Sequence, residues 1–180
     1  MKKQVQFLWK VNGDFSPQDL QKVFLAGHPS DTAQRQQLME EILSLFDCAV
    51  FWHEDIGPLE AIDSTDLDWN LRGMKLFVVV VTSNFLREEN PARSYEYRFA
   101  VENHIPVLPI AMEPGLEETF AQQMEQVGPG YGKIQLLRHE ETSRTEIPYR
   151  QKLFRDLSSI LVPDQTIQKI RNAFSGQIFL

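Results

Sequence analysis

The chain has 180 residues, of which 42% are hydrophobic, and its formal net charge at pH 7 is −7. This length and composition fit one domain with a sizeable core, whereas the acidic balance argues against nucleic acid and anionic membranes as partners. The single cysteine, Cys48, excludes an internal disulfide framework and a thiolate metal cluster. No apolar run approaches the roughly 20 residues that span a bilayer. We therefore expect a globular cytoplasmic protein without a metal site.

The first part of the chain contains a predicted lead-in, a strand and a helix. Residues 1–21 form the lead-in, within which 3–9 alternate between polar and apolar side chains, a pattern compatible with a short extra strand. The first clear strand covers 22–26. A helix with an apolar stripe is predicted over 32–46.

The middle of the chain contains its most apolar segment. A second strand over 48–52 leads into an acidic loop over 53–65 and a short helix that ends at Arg72. The next segment, Leu76–Val81, is an unbroken run of apolar residues, most of them β-branched. Such a run is typical of a strand that is buried on both faces of a parallel sheet.

The remaining elements continue the alternation of helices and strands. A short helical segment that contains Glu96 precedes a fourth strand over 105–110. A helix over 116–127, a fifth strand over 133–137 and a last helix over 149–161 follow. Alternation at this spacing predicts an α/β fold, namely a flavodoxin-like three-layer sandwich. Its five-stranded parallel sheet would have the order 2-1-3-4-5 and helices on both faces.

The predicted elements divide the chain into one domain with two flanking segments. The domain covers 22–162 and follows the lead-in over 1–21. Residues 163–180 are predicted to form a linker helix and the start of a following domain, because the last four residues read as the beginning of a strand.

Open α/β sheets bind ligands at the carboxyl ends of their strands, where the strand order reverses. In the predicted order this crevice lies between the first and third strands. It would be lined by the segment from Gly27 to Asp31, by the acidic loop, by the residues after Val81 and by the helix of Glu96. The four histidines lie in predicted loops without metal-ligand spacing, so we interpret them as solvated residues.

Three stretches resemble the TIR (Toll/interleukin-1 receptor) domain family, in a divergent, bacterial-type form, over roughly residues 22–161. Residues 24–31, Phe-Leu-Ala-Gly-His-Pro-Ser-Asp, resemble the first box of the family. Residues 78–86 resemble its third strand and the turn that follows. The pattern Ser94-x-Glu96-x-x-x-Ala100 resembles the surroundings of the glutamate that is catalytic in enzymatic members.

The chain departs from the family pattern at several positions. Ala26 and Gly27 replace the usual Ser-Tyr of the first box, and the second box is only loosely matched by residues 54–58. The tryptophan that usually precedes the glutamate is missing, and the Phe-Trp of the third box is reduced to Phe154. These departures affect the expected activity more than the expected fold.

The resemblance implies that the protein is a nucleosidase that cleaves NAD⁺ to nicotinamide and ADP-ribose or a cyclic form. Such a protein would act in signalling or defence and become active on self-assembly with other TIR domains. NAD⁺ would be the substrate, with no separate cofactor. Glu96 would be the catalytic carboxylate, and the substrate-binding residues would be Gly27, His28, Asp31, Trp52, Phe85 and Tyr95.

The chemistry suits a single carboxylate. Nicotinamide leaves NAD⁺ as a neutral ring, so no acid has to protonate it. One anion beside the ribose can stabilise the developing positive charge, and aromatic faces can hold the cationic ring. Core or rim packing is the alternative role for Trp52 and Phe85, and helix capping is the alternative role for Asp31.

Two other functions fit the same residues. The altered first and second boxes favour a non-catalytic TIR-like module that associates with other TIR domains. A module that binds a nucleotide-derived signal in the same crevice, without cleaving it, is a third hypothesis.

Overall fold

The computed structural model of the protein describes residues 7–53, 61–139 and 147–161. The loosely matched second box (residues 54–58) lies outside these ranges. The linker helix and following domain predicted over 163–180 lie outside them too.

The described residues form one mixed sheet of six strands in the order β1-β3-β2-β4-β5-β6. Strand β4 lies between β2 and β5, and all of its side chains are buried, as its apolar sequence predicts. The strands are β1 (Phe7–Lys10), β2 (Lys22–Ala26), β3 (Ala49–His53), β4 (Leu76–Val81), β5 (Val107–Ala111) and β6 (Leu137–Arg138).

The prediction of a purely parallel sheet of five strands is wrong. Strand β1, which belongs to the predicted lead-in, pairs antiparallel with β3, so that Phe7 lies opposite His53 and Lys10 lies opposite Val50. Four residues of the lead-in, Phe7–Lys10, thus form an extra strand, which covers the otherwise open edge of β3. The order of the whole sheet differs from the predicted order because of this added strand.

The fifth predicted strand, over 133–137, is also misplaced. Residues Tyr131–Lys133 form a 3₁₀ turn after Gly130, whose φ of 85° is left-handed. Only Leu137–Arg138 pairs with β5. Residues 134–136 follow this turn without pairing to β5.

Helices cover both faces of the sheet. They are α1 (Thr32–Leu45), α2 (Ser64–Arg72), α3 (Ser83–Arg87), α4 (Arg98–Glu102), α5 (Glu117–Val127) and α6 (Tyr149–Leu161), together with a 3₁₀ turn at Pro17–Asp19. A π-helical segment, Ala92–Tyr97, runs directly into α4. None of these helices, which belong to the described residues, combines the length and apolar character needed to cross a bilayer.

Alternate residues of the strands contribute to two separate cores. On the face that we call the α1 face, α1 and α6 pack against side chains that include Val23 and Val78. On the opposite face, the α4 face, α2 to α5 and the π-helical segment pack against side chains that include Phe24 and Phe77. Because successive side chains of a strand point to opposite faces, neighbours in sequence serve different cores.

Cys48 belongs to the core of the α1 face and allows a chemical test of its packing. Its thiol is buried, and desolvation, followed by the nearby carboxylate of Asp47, raises the pKa of Cys48 to about 12. Since the thiolate is the reactive form, we expect a water-soluble thiol reagent to modify the folded protein at least about 100-fold more slowly than the unfolded chain. The rates can be compared without and with guanidinium chloride; equal rates would contradict the packing around Cys48.

Candidate functional site

The π-helical segment that carries Glu96 is fixed at its start by Asn90. The side-chain amide of Asn90 donates to the carbonyl oxygens of Phe85, at 3.0 Å, and Glu88, at 2.8 Å. Its carbonyl oxygen accepts from the backbone N–H of Arg93 at 3.2 Å. Segments of π-helix are rare and occur frequently at functional sites. Asn90 therefore holds the segment against the end of α3.

Glu96 is buried, with 5% of its surface exposed, and it does not lie on an open helix face. Its Oε2 atom lies 2.9 Å from Nδ1 of His53, at the carboxyl end of β3. Among the described residues, no donor binds the other carboxylate oxygen, Oε1. The carboxylate thus has one oxygen held by the protein and one without a described protein donor.

The interpretation of His53 as a solvated loop residue is wrong. His53 is the last residue of β3 and is only 6% exposed. Its ring packs on the ring of Phe7, at 4.2 Å between centroids, and on that of Phe24, at 5.0 Å. Its backbone oxygen accepts from Nη1 of Arg35 at 3.2 Å. Phe7 of β1 lies opposite His53, so the antiparallel pairing of β1 with β3 contributes to the burial of this histidine.

A second polar group joins the carboxyl ends of β2 and β4. Asp31 is buried and accepts hydrogen bonds from the hydroxyl of Thr82 and from the side-chain amide of Asn84, the latter at 3.0 Å. Asp31 occupies the N-cap position of α1, but its side chain makes no capping hydrogen bond. The aspartate of the first box thus links two central strands, where the sequence suggested a helix cap.

His28 and Gly27 belong to the same group. Nδ1 of His28 accepts from the backbone N–H of Ser30 at 3.0 Å, so Nε2 carries the proton and donates to Glu88 at 2.7 Å. A Cβ atom on Gly27 would lie 3.1 Å from Cβ of Val80. The close approach to β4 explains why a glycine fits here. His28 is buried as well, so its interpretation as solvated is also wrong.

The three predicted aromatic residues are separated. Phe85 is fully buried in the core of the α4 face, and Trp52 packs against the core of the α1 face, on the opposite side of the sheet from Glu96. Tyr95 is half-buried beside Glu96, and its hydroxyl donates to Asp68 of α2. Burial and this hydrogen bond raise the pKa of Tyr95. The expected convergence on one crevice therefore does not occur for Trp52 and Phe85.

In the three described ranges, no group of three or more His, Cys, Asp or Glu side chains is arranged to hold a metal ion. Among the described donors to Glu96, only the imidazole of His53 contacts the carboxylate.

Removing the carboxylate tests the His53–Glu96 contact. We expect Glu96→Ala to lower the free energy of unfolding by about 1–3 kcal/mol, because the buried N–H of His53 would lose its acceptor. Glu96→Gln retains a carbonyl oxygen and should stay within about 1 kcal/mol of the parent. Urea unfolding measures both variants. An Ala variant as stable as the parent would show that the buried contact is absent.

Comparison with solved structures supports the fold. No family model and no curated protein matches the sequence. The structure is similar to the TIR domains of the activated Roq1 resistosome, which directly recognizes the pathogen effector XopQ. The TM-score is 0.52 at 11% sequence identity, and the match covers 77% of this chain and 98% of that chain. The chain therefore has an α/β fold similar to that of a TIR domain.

Proposed function

We propose that this protein cleaves the bond between nicotinamide and ribose in NAD⁺, with Glu96 as the catalytic carboxylate. The observation that carries the proposal is the burial of Glu96 on a π-helical segment at the end of β3. An acid on a short helix is ordinarily solvated. This buried acid is the same glutamate that the sequence resemblance selects.

The reaction consumes NAD⁺ and water and yields nicotinamide, ADP-ribose and a proton. The bond between the ribose carbon and the ring nitrogen breaks, and its electron pair neutralises the pyridinium ring. Oε1 of Glu96 is the oxygen that would accept a hydrogen bond from a ribose hydroxyl and face the positive charge that develops on the ribose. A carboxylate in a partly desolvated site stabilises such a charge more strongly than one in water. Attack by another group of the substrate, in place of water, would give the cyclic form.

The remaining residues would bind the two ends of the substrate. Tyr95 is the predicted aromatic residue beside Glu96, and the neighbouring carboxylate of Asp68 adds negative charge that favours a cationic ring. Gly27, His28 and Asp31 lie at the carboxyl ends of β2 and β4. That is the position at which open α/β sheets bind ligands, so we assign them to the ADP-ribose part.

Turnover of NAD⁺ tests the proposal. Glu96→Gln should reduce the release of nicotinamide by at least about 100-fold, because it removes the charge but keeps the hydrogen bond to His53. Chromatography of nicotinamide and ADP-ribose measures the rate, with the full chain at concentrations that allow assembly.

The matched control is Glu102→Gln, which removes an exposed carboxylate at the end of α4 and should leave the rate unchanged. A Glu96→Gln variant that cleaves NAD⁺ as fast as the parent would contradict the assignment.

A non-catalytic association module is the second candidate, and it rests on Trp69. This residue of α2 is 76% exposed, the highest value among the large hydrophobic side chains of the described residues. Exposed tryptophans are frequent energetic centres of protein interfaces. The TIR domains of the structural neighbour were solved as part of a resistosome, which supports association with other TIR domains.

Sedimentation velocity over a range of concentrations tests this second candidate. Trp69→Ala should weaken self-association by at least about 10-fold if α2 forms the contact. Phe15→Ala, which alters an exposed aromatic residue elsewhere, should not change it. Association that depends on Trp69, combined with no loss of NAD⁺, would favour the module over the enzyme.

A further inference from the structure

We infer that His53 is the positioning residue of Glu96, an inference that rests on the proposed NAD⁺ cleavage. Nothing in the sequence patterns selected His53. Its role follows from the contact of Nδ1 with Oε2 of Glu96 at 2.9 Å and from the burial of both side chains.

The contact fixes the protonation of the imidazole. An ionised carboxylate only accepts hydrogen bonds, so Nδ1 of His53 must carry a proton. Nε2 is buried and has no partner in the described part of the chain. A buried lone pair without a partner is better tolerated than a buried N–H without an acceptor. The geometry therefore assigns the neutral ring with its proton on Nδ1.

His53 is held more firmly than the side chain that it binds. The rings of Phe7 and Phe24 pack on its imidazole, and Arg35 binds its backbone oxygen. Glu96 reaches the site on a longer side chain with more rotatable bonds. The hydrogen bond from a fixed ring selects one rotamer of that flexible side chain.

The same geometry limits how His53 acts. Its side chain is enclosed by β1, β2 and the π-helical segment, so it does not present a ring nitrogen to a substrate. It acts through Glu96 instead. By binding Oε2, it leaves Oε1 oriented for the ribose. Small errors in the placement of a reacting group cost up to about 100-fold in rate, so this orientation affects kcat more than KM.

Three substitutions separate orientation from packing. His53→Asn places an amide nitrogen close to the position of Nδ1, His53→Gln places its amide nearer to Nε2, and His53→Phe keeps a ring without a donor. We expect His53→Phe and His53→Gln to lower kcat by about 10- to 100-fold with KM changed less than about twofold. His53→Asn should recover most of the rate.

Two controls keep this result interpretable. The reactivity of the Cys48 thiol reports whether each variant retains a folded core. A long-range ¹H–¹⁵N spectrum of the parent protein reports the ring proton of His53 without any turnover. It should show a protonated Nδ1 and an unprotonated Nε2, and a proton on Nε2 alone would overturn the inference.

The failures of the two proposals can be told apart. A parent protein that releases no nicotinamide contradicts the proposed function, and with it the catalytic importance of His53. Normal turnover in the parent and in folded His53→Phe contradicts the role of His53 alone. Loss of rate in all three variants, including His53→Asn, would indicate a packing role and would also overturn the inference.

Discussion

The hydrogen bond between Nδ1 of His53 and Oε2 of Glu96 joins the carboxyl end of β3 to the π-helical segment. The two residues are 43 positions apart in the sequence. Burial of two ionisable side chains is costly unless each satisfies the other. The elements around this hydrogen bond must therefore hold both side chains in place. Asn90 must hold the π-helical segment, and Phe7 must close the space beside the imidazole.

Two polar groups occupy the carboxyl ends of the strands, and they differ in character. Asp31, Thr82 and Asn84 satisfy one another across β2 and β4, which makes this group a rigid connection between central strands. Glu96 is only half satisfied, because described donors bind one of its two oxygens. Among the described residues, both carboxylate oxygens of Asp31 accept a hydrogen bond, whereas only one oxygen of Glu96 does.

Much of the fold was readable from local patterns, and the errors have physical causes. The apolar run of β4 and the apolar stripe of α1 predicted buried elements correctly, since burial on two faces gives a continuous apolar run and burial on one face gives a periodic one. The prediction of β1 was ambiguous, because alternation in a short segment does not show whether the segment pairs with another strand, or with which one. The predicted start of the last strand, residue 133, lies in the 3₁₀ turn after Gly130, and the periodicity of apolar residues does not report such a turn.

The sequence by itself determined the class of fold, the central strands and the choice of Glu96 as the acid of interest. Only the tertiary structure decided which side chains accompany that acid. Strand periodicity, once the pairing of β1 was known, placed His53 toward Glu96 and its neighbour Trp52 toward the opposite core. The partner of a buried charge depends on which distant elements pack together, and that information is distributed over the whole chain.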